Sequence, residues 1–352
     1  VPNQLTAAQN DALWALAWLG PRLVSGGADG IVRIHDPTDL ALPLNELDTL
    51  PLAISSISGS ADGRFVASSL DGTVALAEDG KWVDRVDTAR DTGAWLSSSH
   101  LPHLPHSPTF LTPSIFPAPR LASLDPRPAP LTPDVPAYAA ALHPQAEAWA
   151  WVGRGTKVGL RRISDKTLAG ESTSATLEKG RFGMTAKFSP DGRQLAVGTE
   201  SGHVAVLDAA TSTVVASYAA HALCVRTLDW SPDSQWLYSG SDDARIVLHD
   251  VRAGGEGARG EGAVAILQGH QSWVLGTAAS PDAKLLASAG ADKTVKLWDV
   301  GQRACVSTST AEAEVWGVAW QGEYEGALAP GKQFAIAGDD KKVSLYRAAG
   351  AV

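Results

Sequence analysis

Short runs of alternating apolar and polar residues, separated by turn residues, recur along most of this chain. The clearest block runs from His270 to Val300, HQSWVLGTAASPDAKLLASAGADKTVKLWDV, and a copy precedes it from His221 to Val251, HALCVRTLDWSPDSQWLYSGSDDARIVLHDV. Alternation with a period of two marks half-buried strands. Repeats of about 40 to 45 residues, each holding several short strands, predict a β-propeller. Each repeat buries its faces only against its neighbours, so residues 1–352 form one all-β domain and not two.

The turn between the second and third strands of each repeat counts the blades. It falls at Asp29-Gly30, Asp71-Gly72, Gly155-Thr156, Ser201-Gly202, Asp243-Ala244, Asp292-Lys293 and Asp340-Lys341, which predicts seven blades. The interval is 42 residues from Asp29 to Asp71 and from Ser201 to Asp243, and 49 from Asp243 to Asp292, where the Gly-rich loop 253–262 of the fifth blade adds length. From Asp71 to Thr156 it is 85. An eighth blade does not fill that gap, because 11 of the 21 prolines lie between Ser98 and Pro136. Proline cannot donate to a strand ladder. Residues 98–136 read as a proline-rich insertion in the third blade, whose first strand lies around either Trp95 or Tyr138. The last repeat supplies only three strands, so the segment from Gln4 to Ala8 is expected to close the ring as the outer strand of the last blade.

Composition narrows the function. A net charge of −9 and a pI near 5.5 argue against direct binding to nucleic acid, which needs a basic surface. Cys224 and Cys305 have neither disulfide-framework nor zinc spacing, and a reducing compartment fits them. No signal peptide is expected, and no run of about 18 apolar residues predicts a membrane span.

Candidate chemistry is sparse. His270, Ser288 and Asp292 combine the residue types of a hydrolase triad, but His221, Ser239 and Asp243 repeat them at the same spacing one blade earlier. A catalytic set need not recur, whereas a structural one should. The glycines from Gly254 to Gly262 lack the Gly-Lys-Ser/Thr ending of a phosphate loop. His100, His103 and His106 would share one side of a polyproline II helix, yet no other ligand types cluster nearby, so they read as a solvated tract. The Pro105-His106-Ser107-Pro108 and Pro117-Ala118-Pro119 stretches read as spacer. No metal, cofactor or catalytic residue is expected.

The strongest binding signal lies where each inner strand begins. Counted from the His270 position, the fourth residue is apolar (Leu13, Val225, Val274, Val315), and so are the seventh and ninth (Leu16 and Trp18, Leu228 and Trp230, Val318 and Trp320). Four and seven differ in parity, so a β-bulge must lie between them. Offsets three and five then point to the channel mouth. They carry Trp14, Phe182, Met184, Arg226, Trp273 and Trp316, with Trp95 or Tyr138 from the third blade. Glu200, Asp242 and Asp339 precede the turns at the same end. Clustered aromatics rimmed by acids suit a peptide with an apolar anchor and an arginine. In this reading Trp14, Phe182, Trp273 and Trp316 hold the anchor, and Arg226 with the acids sets register.

With these residues in view, the chain resembles WD-repeat proteins, the Trp-Asp pair surviving at Trp298-Asp299. More narrowly it resembles the WD-repeat subunit of the superkiller complex, the fungal relative of the animal WD-repeat protein shared with the RNA polymerase-associated factor complex. LWALAW at 13–18, KGRFGMTAKFSPDGRQLAVGTESG at 179–202, the blocks from His221 and His270, EVWGVAW at 314–320 and GDDKKVSLY at 338–346 carry the resemblance. It implies a relay in which His270, Ser288, Asp292 and Trp298 tie strands to turn. It also implies a non-enzymatic scaffold that binds a tetratricopeptide-repeat subunit, and through it an RNA helicase and the RNA exosome, for 3′-to-5′ mRNA decay. A cytoplasmic location with a nuclear pool follows. A meiotic topoisomerase-like partner in double-strand-break formation, the polymerase-associated factor complex, and a ubiquitin-ligase receptor role are the alternatives.

Overall fold

The computed structural model describes residues 4–5, 9–40, 43–60, 62–88, 137–164, 166–168, 170–177, 179–180, 182–253, 263–324 and 328–347. Its strands form seven four-stranded antiparallel sheets. After β1 (Gln4–Leu5), blade one holds β2 (Leu13–Leu19), β3 (Arg22–Gly27), β4 (Val32–His35) and β5 (Asn45–Glu46). Blade two holds β6 (Ile54–Gly59), β7 (Phe65–Ser69), β8 (Thr73–Glu78) and β9 (Lys81–Asp87); blade three holds β10 (Ala137–Leu142), β11 (Ala148–Gly153), β12 (Lys157–Arg162) and β13 (Ser172–Thr176). Blade four holds β14 (Gly183–Phe188), β15 (Gln194–Thr199), β16 (His203–Asp208) and β17 (Thr213–Ala219); blade five holds β18 (Val225–Trp230), β19 (Trp236–Ser241), β20 (Arg245–Asp250) and β21 (Ala263–Gln268). Blade six holds β22 (Val274–Ala279), β23 (Leu285–Gly290), β24 (Thr294–Asp299) and β25 (Ala304–Thr310). Blade seven holds β26 (Val315–Trp320), β27 (Gln333–Gly338) and β28 (Val343–Arg347), and β1 completes it by pairing Gln4 with Leu345 and Leu5 with Ser344. The chain is thus a seven-bladed propeller whose ring is closed by its N-terminal strand. None of the described residues forms a helix long and apolar enough to cross a membrane.

The third blade opens at Tyr138, within β10. Trp95, the insertion at 98–136 and the Gly-rich residues 254–262 lie outside the described residues. The elements flanking the insertion are β9 of blade two and β10 of blade three. Thr88 joins them: its hydroxyl donates to Gly72 O at 2.6 Å and accepts from the Ala137 amide at 2.7 Å.

Apolar side chains pack between neighbouring blades, one cluster to each seam. Between blades three and four, for example, Val152, Val158 and Leu160 meet Phe188, Leu195 and Leu207. Burying one such side chain contributes about 1.5–3 kcal/mol, so the ring is held chiefly by these seams. Close to the axis, small polar residues add side-chain ties. Ser56 and Ser58 accept from the Ala140 and Leu142 amides at 3.0 Å, and Thr227 and Asp229 accept from the Thr277 and Ala279 amides at 3.0 and 2.7 Å.

The turns between second and third strands need left-handed backbone. Gly30, Gly72 and Gly202 supply it without strain, while Ala244, Lys293 and Lys341 adopt φ of 63°, 59° and 64°. In blade three the left-handed residue is Gly155 and not Thr156.

In blade six, Trp298 Nε1 lies 2.8 Å from Ser288 Oγ, His270 Nε2 lies 2.7 Å from the same oxygen, and His270 Nδ1 lies 2.9 Å from Asp292. The indole can only donate and the carboxylate can only accept. The proton order is therefore Trp298 to Ser288 to His270 to Asp292. Burial opposes ionisation of Asp292, but His270, the Gln271 amide and the Thr294 hydroxyl outweigh it and hold the carboxyl well below the usual range. Blade five repeats the chain with His249 in the indole's place: His249 Nε2 is 2.9 Å from Ser239 Oγ, which is 2.8 Å from His221 Nε2. In blade one His35 Nε2 meets Ser25 Oγ at 2.8 Å.

Burial pushes His35 down to about 4 and His249 down to about 3. Unfolded histidine takes up its proton near pH 6.5. Between that pH and the folded values the unfolded chain binds more protons, so stability falls as pH falls. Each of the two histidines should cost about 2 kcal/mol between pH 6.5 and 5. Urea unfolding at pH 7 and 5 should show this loss, and His35→Asn/His249→Gln should reduce it. Asp292→Ala should destabilise by about 1–3 kcal/mol at neutral pH, measured the same way.

Candidate partner-binding mouth

Every inner strand carries a bulge at the same place. The register against the second strand shifts between Leu13 and Ala15, Ile54 and Ser56, Ala137 and Ala139, Gly183 and Thr185, Val225 and Thr227, Val274 and Gly276, and Val315 and Gly317. The residue in the middle is left out of the ladder and projects at the end of the propeller where the inner strands begin. These residues are Trp14, Ser55, Tyr138, Met184, Arg226, Leu275 and Trp316. The residues two places earlier extend the ladder: the Glu200 amide donates to Phe182 O at 3.1 Å and the Ala291 amide to Trp273 O at 2.9 Å. One backbone device thus places both sets of side chains around one mouth.

The side chains separate into two groups. On blades three to six, Tyr138 and Phe182 pack edge to face with ring centroids 5.3 Å apart. The Arg226 guanidinium lies 5.2 Å from the centre of the Trp273 ring. Arg226 also donates to both oxygens of Asp242 at 2.8 and 2.9 Å. The Arg226 and Asp242 side chains are only 7% and 10% exposed. Burial works against the charge on Arg226, but the Asp242 bond outweighs it and raises its pKa. Burial also raises Tyr138, and pushes the neighbouring Cys224 thiol up to about 12. On blades seven and one, the Trp14 and Trp316 rings lie 5.9 Å apart at 40°, and Trp316 Nε1 donates to Asp339 at 2.9 Å.

The expected roles shift accordingly. Trp14, Tyr138, Phe182, Trp273 and Trp316 are half-buried and keep part of their rings in solvent. Met184 is buried, at 6% exposure, and underlies the mouth without presenting surface. Arg226 and Asp242 satisfy one another, Asp339 holds the Trp316 indole, and Glu200 accepts from the Phe182 amide at 2.7 Å. Arg226 and Asp242 are thus turned toward one another and nearly buried, whereas the sequence suggested that they face the partner; Asp339 stays exposed beside Trp316.

Leu52 and Leu223, 41% and 52% exposed, sit just ahead of the inner strands of blades two and five and extend the apolar rim. They occupy the offset before the aromatic positions, and their apolar character was the available signal. At the other end of the inner strands a cavity of about 310 Å³ is lined by residues including Leu16, Ile57, Val318 and Trp320. It carries an ion pair, Lys187 Nζ to Asp229 at 3.2 Å. The described residues hold no group of three His, Cys, Asp or Glu placed to bind a metal.

The WD domain, G-beta repeat family matches residues 212–250 and 262–299. Each match takes in the outer strand of one blade and the first three strands of the next, the offset that leaves the last blade to be completed by β1. Among curated proteins, WD repeat and SOCS box-containing protein 1 of Danio rerio is 35% identical over 131 residues, 37% of this chain and 29% of that protein. WD repeat-containing protein slp1 of Schizosaccharomyces pombe is 32% identical over 179 residues, 51% and 34% of the two chains. The B-type cell cycle switch protein ccs52A of Medicago truncatula is 35% identical over 145 residues, 40% and 28%. The matched part of the chain spans about a third or less of these relatives' length. The two matched repeats lie in a seven-bladed ring, the fold of a WD-repeat β-propeller.

Arg226→Ala should destabilise the fold by about 3 kcal/mol or more, because it leaves Asp242 buried without its partner. Arg226→Met/Asp242→Leu should recover most of that loss. Denaturant midpoints of the three proteins check this.

Proposed function

We propose that this chain is a scaffold subunit of a superkiller-type complex. In this reading the mouth binds an apolar anchor of a tetratricopeptide-repeat subunit. That subunit links the propeller to an RNA helicase and, indirectly, to the RNA exosome for 3′-to-5′ mRNA decay. The observation that carries the reading is the set of half-exposed rings at Trp14, Phe182, Trp273 and Trp316. Large aromatics left partly in solvent at one mouth mark a surface that something covers, and tryptophan dominates interface energies. The stretches from 179 to 202 and from 270 to 306 support the superkiller assignment through their resemblance to that subunit.

A second reading is an adaptor of another assembly, such as a ubiquitin-ligase receptor or a polymerase-associated subunit. The names of the relatives, a SOCS box-containing protein and a cell cycle switch protein, support an assembly other than a superkiller-type complex. Both readings use the mouth and differ in the partner.

Affinity purification of the tagged protein from its own cells, compared with Trp273→Ala/Trp316→Ala, separates them. Helicase, repeat subunit and exosome should co-purify with the wild type and be lost from the variant. Trp316→Ala alone should weaken binding by about 2 kcal/mol, with little change in melting temperature. Ligase or polymerase-associated subunits in their place would move the chain to the second reading. Undiminished binding by the variant would remove the mouth from either.

A further inference from the structure

Five outer strands are five residues or longer among the described residues, and one of them differs from the rest. In β9, β17, β21 and β25 the ladder with the third strand skips one residue, which is valine each time: Val83, Val215, Val264 and Val306. A bulge in an outermost strand twists the edge and hinders pairing with a further strand. β13 is the exception. It pairs with β12 at every position from Ser172 opposite Arg161 to Thr176 opposite Lys157, with no shift of register. It also holds no proline and no charged residue, the other devices that protect an edge.

This edge is open and fixed in place. The Leu177 amide donates to Thr156 O at 2.6 Å and the Arg162 amide to Glu171 O at 3.0 Å. Bonded positions alternate along an antiparallel ladder. Thr173 and Ala175 therefore turn their backbone groups inward, and Ser172, Ser174 and Thr176 turn theirs outward. β13 ends its sheet, with no described strand beyond it. Ala175 is buried in the seam with blade four, and the Thr173 hydroxyl lies 2.7 Å from Ser212 Oγ of that blade. The strand is thus ordered before anything pairs with it.

Charge selects the occupant. Residues 154–181 carry seven Lys and Arg against three Asp and Glu, in a chain of net charge −9. Lys157 and Lys179 lie beside the mouth end of β13 and Arg162 beside its other end, all exposed. A second copy of this chain would set that excess of cations against itself. We propose that the edge of β13 is a docking site for an extended, acidic segment of a partner protein, which adds a fifth strand to blade three. Main-chain bonds to Ser172, Ser174 and Thr176 supply affinity, and the flanking cations select acids at the ends of the segment. The site lies on the outer rim and does not depend on the reading given to the mouth.

The test uses the whole chain and two probe peptides, Thr-Val-Thr-Val-Thr flanked at both ends by glutamate pairs or by lysine pairs. The net charge of the chain favours the lysine peptide. The glutamate peptide should nonetheless bind about tenfold more tightly. Bound, it should slow amide exchange at Ser172, Ser174 and Thr176 and leave β9, β17, β21 and β25 unchanged. Ser174→Pro removes an outward N–H without breaking a bond to β12, and should lower the affinity about tenfold. Should that variant misfold, the wild type still decides: N-methylating one alternating set of peptide amides should abolish binding, and N-methylating the other should not. Tighter binding of the lysine peptide, protection at another outer strand, or no protection of β13 at millimolar glutamate peptide would each overturn the proposal. So would protection of β13 by raised protein concentration alone, which would assign the edge to a second copy.

Discussion

The bulge near the start of each inner strand is the constraint on which the rest of this structure depends. A strand exposes alternate residues to alternate sides, so one face cannot serve both the core and the mouth without a break in register. The bulge supplies that break. Ahead of it, Leu13, Val225, Val274 and Val315 point into the seams, and beyond it Leu228, Trp230, Val318 and Trp320 do so again. The residue skipped by the ladder sits at the mouth end in every blade, half-buried at Trp14, Tyr138 and Trp316 and buried at Met184 and Leu275. Core packing and the candidate site are thus products of a single backbone feature.

Much of this was legible because the chain repeats. Seven turn signals gave seven blades, the conflict of parity between Leu13-type and Leu16-type positions gave the bulge, and a last repeat with three strands gave the ring closure. The recurrence of His, Ser and Asp in blades five and six pointed to a relay rather than a catalytic set. Blade three was less legible, because proline-rich sequence carries no alternation from which to find a strand; Tyr138 falls into place only once its neighbours Ala137 and Ala139 are seen to pair with Gly153 and Val152.

The electrostatics of the mouth were not legible. Arg226 and Asp242 are 16 residues apart, and their pairing follows from the close approach of the bulge to the end of the second strand. Sequence spacing alone left both free to meet a partner. The mouth consequently divides into a part that is satisfied internally, around Arg226, and a corner formed by Trp14 and Trp316. That corner straddles blades seven and one.

The central claim is that the half-exposed rings where the inner strands begin, Trp14, Phe182, Trp273 and Trp316, form the contact surface. The most direct measurement replaces Trp316 at the mouth, or Ile266 on the outer rim, with a photo-crosslinking amino acid and irradiates living cells. The account predicts covalent adducts to a partner protein from position 316 and few from position 266, which lies half-exposed on β21. Adducts from position 266 with none from 316 would contradict it and move the binding surface to the outer strands.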